Sequence, residues 1–401
     1  MITLFSKVVK NIHKKSFLIP KTQFSSLKQP LLFTPGPLLT SNNVKLSMNY
    51  DYGSRDPRFM QIIKDIRNDI LKICEVQKGE YECILLQGSG TYAVEAVLGQ
   101  SIPKGKHKLL IVQNGAYGIR MEKISLYYGL NYTTLNYSDC DVVKPKDVAQ
   151  KLQENPDITH VSIIHSETTS GLINPIEEIG KVIKNFNKNI VYIVDSMSSF
   201  AAYRINPKEI GIDYLVASSN KNLQGIPGFA FVIANNKHFQ NTKDNARSMV
   251  LDLYQQWQGL EDNGQFRFTP PTHVLKATKV AIDEYFEQGG QPKRFQKYDS
   301  NQKLLTKRMT EMGFKLYIEP KYQGCIITTF LNPKDPNFKF NEFYQFLADK
   351  NMVIYPGKLT KADSFRIGSI GEINNQNISQ LCEYIHDYLV VKKCSIPVKY
   401  D

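Results

Sequence analysis

Short apolar runs alternate along this chain with segments of helical periodicity, and this alternation constrains the fold more than any other feature. The candidate strands lie at residues 83–87, 109–112, 161–165, 191–194, 214–217 and 229–233, and helix-like segments lie at 93–101, 148–154 and 176–186. Several of the runs are continuous stretches of Val, Ile and Leu, as expected of strands covered on both faces. The pattern therefore predicts an α/β fold with a mostly parallel sheet built from crossover units.

A breaker cluster, Gly289-Gly290-Gln291-Pro292, follows a helical stretch at 273–288 and predicts a domain boundary. We expect a large domain at 51–288 and a smaller C-terminal α+β domain at 289–401. The smaller domain contains strand candidates at 325–331 and 352–355 and a closing helix near 378–391. Residues 29–50 form a predicted N-terminal arm, and residues 1–28 form a separate basic segment.

The positive charge is concentrated at the start of the chain. Residues 1–50 contain seven lysines and no acid, so the net charge of +12 leaves only +5 for the other 351 residues. This distribution argues against a nucleic-acid partner, which would need basic residues spread over the folded body.

Read as a helix, the first residues of the chain are amphipathic and basic. This pattern predicts a mitochondrial targeting peptide and therefore a protein of the mitochondrial matrix. The alternatives are a disordered basic arm and a cytoplasmic protein, since the arginines usual in such peptides are missing.

The six cysteines form no CxxC pair and have no ligand-like histidine spacing. They predict free thiols and no metal site. Because no run approaches the roughly eighteen apolar residues of a membrane-spanning helix, we expect no membrane insertion.

Three elements with chemical potential follow strand candidates. Ser89, Gly90 and Thr91 lie at a strand-to-helix junction, where a phosphate could meet free amides and hydroxyls. Asp195 follows a buried strand and could keep a ring nitrogen protonated. Lys221 lies among small residues at another strand end, where partial burial would favour the neutral amine needed for imine chemistry.

Each element alone has an ordinary alternative: a plain turn, a helix-capping or loop acid, and a solvated surface lysine. Together they supply a phosphate cup, an acid for a pyridinium nitrogen and an amine for an aldehyde. These are the parts that a pyridoxal 5'-phosphate (PLP) enzyme requires of its protein.

Longer motifs carry a family resemblance. They are Phe33-Thr34-Pro35-Gly36-Pro37, Leu86-Gln87-Gly88-Ser89-Gly90, Asn114-Gly115-Ala116-Tyr117-Gly118, His165-Ser166-Glu167-Thr168-Thr169, Val194-Asp195-Ser196-Met197-Ser198-Ser199-Phe200, Val353-Ile354-Tyr355-Pro356-Gly357-Lys358 and Phe365-Arg366-Ile367-Gly368. They resemble the motifs of 2-aminoethylphosphonate–pyruvate transaminases, which are class V aminotransferases of PLP fold type I. The resemblance runs from about Leu31 to Tyr388. It implies a large domain with a mostly parallel seven-stranded sheet and a smaller C-terminal α+β domain.

The resemblance also implies the two central roles. Lys221 would be the Schiff-base lysine, and Asp195 would be the partner of the pyridine nitrogen. Ser89, Gly90 and Thr91 would hold the cofactor phosphate.

Further roles follow from the same motifs. Tyr117 would stack on the cofactor ring, Thr168 would contact its hydroxyl, and Asn220 would lie beside the phosphate. In such homodimers a threonine of the second subunit completes the phosphate cup, and Thr269 occupies the matching position.

Arg366 would bind the substrate anion. Arg55 lies in a stretch that differs between branches of the family, so it is either a second substrate-anion contact or part of a structural ion pair.

The implied reaction is transamination of 2-aminoethylphosphonate with pyruvate, giving phosphonoacetaldehyde and L-alanine. An alanine–glyoxylate or serine–pyruvate aminotransferase would share the cofactor residues and is the alternative function. A PLP lyase such as a cysteine desulfurase would need a reactive cysteine in a Gly/Ser-rich loop, which the sequence does not show. A non-enzymatic basic binding protein would need a different distribution of lysines.

Overall fold

The computed structural model describes residues 29–357 and 362–400. The predicted targeting segment, residues 1–28, and Lys358 of the quoted motifs lie outside the described residues. In chain order the strands are β1 (Leu31–Leu32), β2 (Tyr81–Gln87), β3 (Leu109–Gln113), β4 (Tyr132–Asn136), β5 (His160–Ile164), β6 (Ser166–Glu167), β7 (Leu172–Ile173), β8 (Val191–Asp195), β9 (Tyr214–Ser218), β10 (Phe229–Asn235), β11 (Ile327–Leu331), β12 (Met352–Val353), β13 (Tyr355–Pro356) and β14 (Ser364–Gly368).

The α-helices connect and cover these strands. They are α1 (Asn42–Leu46), α2 (Pro57–Ile73), α3 (Gly90–Ser101), α4 (Ala116–Tyr127), α5 (Pro145–Glu154), α6 (Ile176–Phe186), α7 (Pro207–Ile210), α8 (Asn236–Phe239), α9 (Leu253–Asp262), α10 (Thr272–Glu287), α11 (Gly290–Glu311), α12 (Phe340–Asp349) and α13 (Asn375–Val391).

Seven of the described strands form the central sheet, in the order β2-β10-β9-β8-β5-β3-β4. The pairs from β9 to β4 are parallel, and β10 is antiparallel to both of its neighbours. Since β10 alone is reversed, β2 runs in the same direction as the parallel strands. The prediction of a mostly parallel seven-stranded sheet is confirmed.

The central strands form because both of their faces are buried. Every residue of β5, β8 and β9 is buried, and these strands contribute to one continuous hydrophobic core. Helices cover the faces with apolar stripes: α6 buries Ile176, Ile179 and Ile183, while Glu177 and Glu178 lie in its first turn. Acidic residues there complement the positive end of the helix dipole.

Strand β4 was missing from the sequence prediction. It pairs only with β3 at the edge of the sheet, and its residues are half-buried or exposed. A half-covered edge strand does not need a continuous apolar run, so Tyr-Thr-Thr-Leu-Asn gave too weak a signal.

The direction of the strands determines where chemistry can occur. The carboxyl ends of β2, β5, β8 and β9 meet at one edge of the sheet, where α3 and α4 begin. Loops at this edge of an open α/β sheet are the usual place for a ligand.

A second hydrophobic core lies in the C-terminal part of the chain. It is built around the three-stranded sheet β11-β14-β13 and the helices α12 and α13. Phe33 and Leu39 of the N-terminal arm belong to this core, and β1 pairs in parallel with β12. Gln288 and Gly289 separate α10 from α11, and Gly289 and Gly290, the first residue of α11, have φ angles of 94° and 66°. The domain bounds at 50/51 and 288/289 stay predictions.

Among the described helices, none is long and apolar enough to cross a membrane. Residues 29–357 and 362–400 contain no group of three or more His, Cys, Asp or Glu side chains placed to hold a metal ion. All six cysteines lie in the described ranges and are unpaired, and five of them are buried.

Leu215, the second residue of β9, is fully buried. Replacing it with alanine should lower the free energy of unfolding by about 2–5 kcal/mol, because methyl groups are lost from a core that can collapse only partly. The control is Leu126→Ala on α4, where the side chain is 68% exposed and the same change should cost less than about 0.5 kcal/mol. Urea unfolding of both variants measures the difference. Equal losses would contradict the assignment of β9 to the core.

Candidate active site

One cavity lies at the carboxyl edge of the central sheet. It brings together most of the predicted site residues, namely Ser89, Gly90, Thr91, Tyr117, Thr168, Asp195, Asn220 and Lys221. These residues come from loops and helix starts that are far apart in sequence, and the common strand direction places them at one edge.

The N-terminus of α3 forms one wall of the cavity. Ser89 is the N-cap residue, but its side chain makes no capping hydrogen bond, so the first amides of α3 have no side-chain partner there. Gly90 is pressed against Met197, and a Cβ at this position would lie 2.4 Å from the Met197 sulfur. Free amides and the positive end of the helix dipole together favour an anion at this point.

Lys221 lies in the loop after β9 and is half-buried. Its Nζ donates hydrogen bonds to the carbonyl oxygens of Pro35 (3.0 Å) and Gly36 (3.1 Å). Gly36 has a φ of +107°, and a Cβ there would lie 2.5 Å from Lys221 Cδ. Glycine at position 36 thus leaves the space through which the lysine side chain passes.

Burial lowers the pKa of Lys221 from its ordinary value of 10.5 to about 8. The charge of Asp195 opposes this shift, and the charges of Arg366 and Arg120 add to it. A lysine with a lowered pKa in a cleft is typical of a nucleophile that must be neutral.

Asp195, the last residue of β8, is 5% exposed. Burial raises the pKa of its carboxyl group to about 6, while a hydrogen bond from the Met197 amide and the charges of Arg120 and Lys221 lower it. The Met197 amide donates to Oδ1 at 2.9 Å. This contact fixes Oδ1 and leaves Oδ2 to accept a hydrogen bond from an N–H group of a ligand.

Arg366 on β14 is 2% exposed and lies beside the cavity, not among its lining residues. Its Nη1 donates to the Thr168 carbonyl at 2.7 Å, and its Nε and Nη2 donate to the Pro356 carbonyl at 3.3 and 2.9 Å. Burial lowers its pKa. These three bonds engage three of the five N–H groups of the guanidinium and leave two for a ligand.

Two predicted residues lie away from the cavity of the single chain. Thr269 is exposed, and its carbonyl accepts a hydrogen bond from Gln87 Nε2 at 3.4 Å. Its role was assigned to the cup of a second subunit, so that role stays a prediction. Arg55 is exposed and does not line the cavity.

Glu167, for which the sequence patterns indicated no role, is fully buried. Its Oε1 accepts hydrogen bonds from the Thr169 amide (2.9 Å) and hydroxyl (2.5 Å), and that hydroxyl accepts from the Ala116 amide at 3.0 Å. Burial raises the pKa of Glu167 to about 7. The contacts connect the loop that carries Thr168 to the start of α4, which carries Tyr117.

Arg120, which was not among the predicted site residues, also lines the cavity. Its guanidinium carbon lies 4.8 Å from the centroid of the Tyr117 ring, and its Nη1 donates to Thr91 Oγ1 at 3.1 Å. Residues three apart on a helix share a face, so the Tyr117–Arg120 spacing was a signal that could have identified it.

Comparison with known proteins agrees with this geometry. The family model "Aminotransferase class-V" matches residues 41–362. A bifunctional phosphonoacetaldehyde hydrolase/aminoethylphosphonate transaminase of Clostridioides difficile is 42% identical over 95% of this chain, and the chain spans 59% of that protein. A 2-aminoethylphosphonate–pyruvate transaminase of Phocaeicola vulgatus is 44% identical over 88% of this chain and 98% of the relative.

A solved structure shows the same fold. An alanine–glyoxylate aminotransferase from Nostoc superposes with a TM-score of 0.83 at 21% identity, covering 91% of this chain and 96% of that one.

The prediction of a mitochondrial matrix protein is wrong. The relatives at 42–44% identity are bacterial proteins, and bacteria have no mitochondria. A basic amphipathic segment is not specific to targeting peptides, and this one lacks the arginines usual in them.

The cavity, the fold and the similarity over almost the whole described chain agree. The chain belongs to the class V aminotransferase family and groups within it with the 2-aminoethylphosphonate–pyruvate transaminases.

Proposed function

We propose that this chain is a PLP-dependent aminotransferase that transfers the amino group of 2-aminoethylphosphonate to pyruvate and so forms phosphonoacetaldehyde and L-alanine. Relatives that carry this name and are 42–44% identical over about 90% of the chain support the substrates. The observation that carries the chemistry is the single cavity shared by Lys221, Asp195 and the N-terminus of α3.

The residues present fit PLP. The uncapped start of α3, with Ser89, Gly90 and Thr91, suits a phosphate, and a Cβ at Gly90 would meet the Met197 side chain. Asp195 suits a protonated ring nitrogen. When bound, PLP supplies an aldehyde that reacts with amines and a protonated ring that accepts an electron pair.

Three lining residues would complete the contacts with the ring and the phosphate. Tyr117 would cover one face of the ring, Thr168 would contact the ring hydroxyl, and Asn220 would lie beside the phosphate. All three line the cavity. The Thr169 hydroxyl donates a hydrogen bond to Glu167 and accepts one from the Ala116 amide. These two bonds orient the backbone that carries Tyr117 and Thr168.

Lys221 would act as the base. With a pKa of about 8, its Nζ is neutral in a useful fraction of molecules near neutral pH, and only the neutral amine can take a proton from the substrate carbon. The carbonyls of Pro35 and Gly36 hold Nζ and limit its reach. Lys221 would return the same proton in the second half of the transfer.

Arg366 would bind the substrate anion. Its two remaining N–H groups, one on Nη1 and one on Nη2, would donate to a carboxylate or to a phosphonate, so one residue would serve both half-reactions. Arg55 remains a second candidate for this contact.

We further propose a homodimer in which Thr269 of the partner subunit completes the phosphate cup. The exposure of Thr269 in the single chain supports this arrangement, as does the 38% exposure of the neighbouring Phe268 side chain. Aromatic residues are enriched in the buried cores of subunit interfaces.

The alternative function is an alanine–glyoxylate or serine–pyruvate aminotransferase, which would use the same cofactor residues. The choice of amine donor separates them. We expect purified protein with PLP and pyruvate to form alanine from 2-aminoethylphosphonate, with phosphonoacetaldehyde as the second product. Amination of glyoxylate by alanine, without reaction of the phosphonate, would favour the alternative.

Replacing Arg366 with lysine should lower kcat/KM for both 2-aminoethylphosphonate and pyruvate by about 10- to 100-fold. The ammonium group of lysine cannot donate to the carbonyls of Thr168 and Pro356 and at the same time contact two oxygens of the substrate anion. Initial rates with each substrate varied measure the effect. The control is Arg204→Lys, since Arg204 is exposed and paired with Glu75 and Glu209. Loss for only one of the two substrates would contradict a shared anion contact.

The reactivity of Lys221 should report its lowered pKa. In cofactor-free protein, the rate of acylation at Lys221 should rise with pH with a midpoint of about 8, because the neutral amine reacts. Mass spectrometry of the Lys221 peptide measures this rate. In Asp195→Asn the midpoint should fall further, because the carboxylate that raises the lysine pKa is gone. A midpoint near 10.5 in the unchanged protein would show that Lys221 is solvated.

A further inference from the structure

Arg120 is an exposed arginine on the cavity side of α4. Its position is held by two contacts: the ring of Tyr117, 4.8 Å from the guanidinium carbon, and Thr91 Oγ1, 3.1 Å from Nη1. Thr91 is the second residue of α3. The guanidinium therefore meets the helix start that forms the phosphate cup.

Within residues 29–357 and 362–400, no carboxylate forms an ion pair with Arg120. Other arginines of the chain are paired: Arg67 with Glu82 and Glu261, and Arg204 with Glu75 and Glu209. Arg120 nevertheless acts on the cavity, because its charge lowers the pKa of both Asp195 and Lys221. An arginine with this influence and no acidic partner can bind an anionic ligand without breaking an ion pair.

The cavity and its border carry more positive than negative groups. Lys221, Arg120 and Arg366 are basic, whereas Asp195 and Glu167 are acidic, and burial raises the pKa of Glu167 to about 7, so that this group is only partly ionised near neutral pH. The proposed reaction brings in two anions, the cofactor phosphate and the substrate phosphonate or carboxylate. Two arginines are placed to receive them.

The contacts of the two arginines indicate how the anions are divided. Arg366 is fixed to the carbonyls of Thr168 and Pro356, whereas Arg120 is fixed to Thr91 at the start of α3. We propose that Arg120 binds the phosphate group of the cofactor, acting with Thr91 and the α3 amides, and that Arg366 is thereby left for the substrate. This inference rests on the proposed function, because it takes the cavity to be a PLP site.

Removal of Arg120 has two separable effects. Loss of the phosphate contact weakens only ligands that carry a phosphate. Loss of the nearby charge raises the pKa of Lys221, which affects phosphate-bearing and phosphate-free aldehydes alike. The ratio of the two affinities therefore isolates the phosphate contact.

The test measures binding of PLP and of pyridoxal, which lacks the phosphate, to the full chain freed of cofactor. The proteins are the unchanged chain, Arg120→Gln, Arg120→Lys and the control Arg204→Gln, which removes the same charge from an exposed arginine elsewhere. Dissociation constants come from absorbance titration. Thermal unfolding of each cofactor-free variant checks that the exposed substitutions leave the fold unchanged.

We expect Arg120→Gln to raise the ratio of the PLP dissociation constant to the pyridoxal dissociation constant by about 10- to 100-fold. Arg120→Lys should give a smaller rise, because it keeps the charge and loses the fork. Arg204→Gln should leave the ratio unchanged.

An unchanged ratio in Arg120→Gln, with tight PLP binding by the unchanged chain, would overturn this inference and leave the proposed function standing. An equal loss for PLP and pyridoxal would overturn it as well, since Arg120 would then act on the lysine or the ring. Failure of the unchanged chain to bind PLP at all would overturn the proposed function and this inference together.

Discussion

Burial of two opposite charges at the ends of neighbouring strands is the constraint on which the rest of the site depends. Asp195 ends β8, and Lys221 follows β9, in the middle of a sheet covered on both faces. Desolvation lowers the pKa of the lysine to about 8 and raises that of the aspartate to about 6, and each charge moderates the shift of the other. Near neutral pH the carboxylate is then mostly ionised, and roughly a tenth of the amine is neutral. Binding a protonated ring and attacking an aldehyde require these two states.

The surrounding residues extend this constraint outward. Arg120 contacts Thr91 at the start of α3, whereas Arg366 is held by the carbonyl groups of Thr168 and of Pro356 in β13. Glu167 and Thr169 connect the loop that carries Thr168 to α4. The N-terminal arm connects the site to the second core, because the Pro35 and Gly36 carbonyls accept hydrogen bonds from the lysine amine while Phe33 packs among residues of the C-terminal part. The site therefore depends on both hydrophobic cores.

Much of this organisation was predictable from the sequence, for physical reasons that also explain the failures. Strands such as β5 and β8 are covered on both faces and appear as continuous apolar runs, and the residues that follow them gather at one edge because the strands are parallel. Strand β4 lies at the sheet edge and gives no such run. Glu167 is linked to α4 through the bond between Thr169 and Ala116, a contact between distant segments that local patterns do not contain. The spacing of Tyr117 and Arg120 on one helix was a local signal that the prediction did not use. The mitochondrial prediction failed because the charge of a terminal segment describes its composition and not its destination.

The central claim is that Lys221 is the amine joined to the cofactor aldehyde. Reduction of the PLP-loaded protein with sodium borohydride, followed by peptide mass spectrometry, tests it most directly. The account predicts one phosphopyridoxyl group per chain, located on Lys221, and no stable label in Lys221→Ala. A label that persists in that variant, or that lies mainly on another lysine of the unchanged chain, would contradict the account.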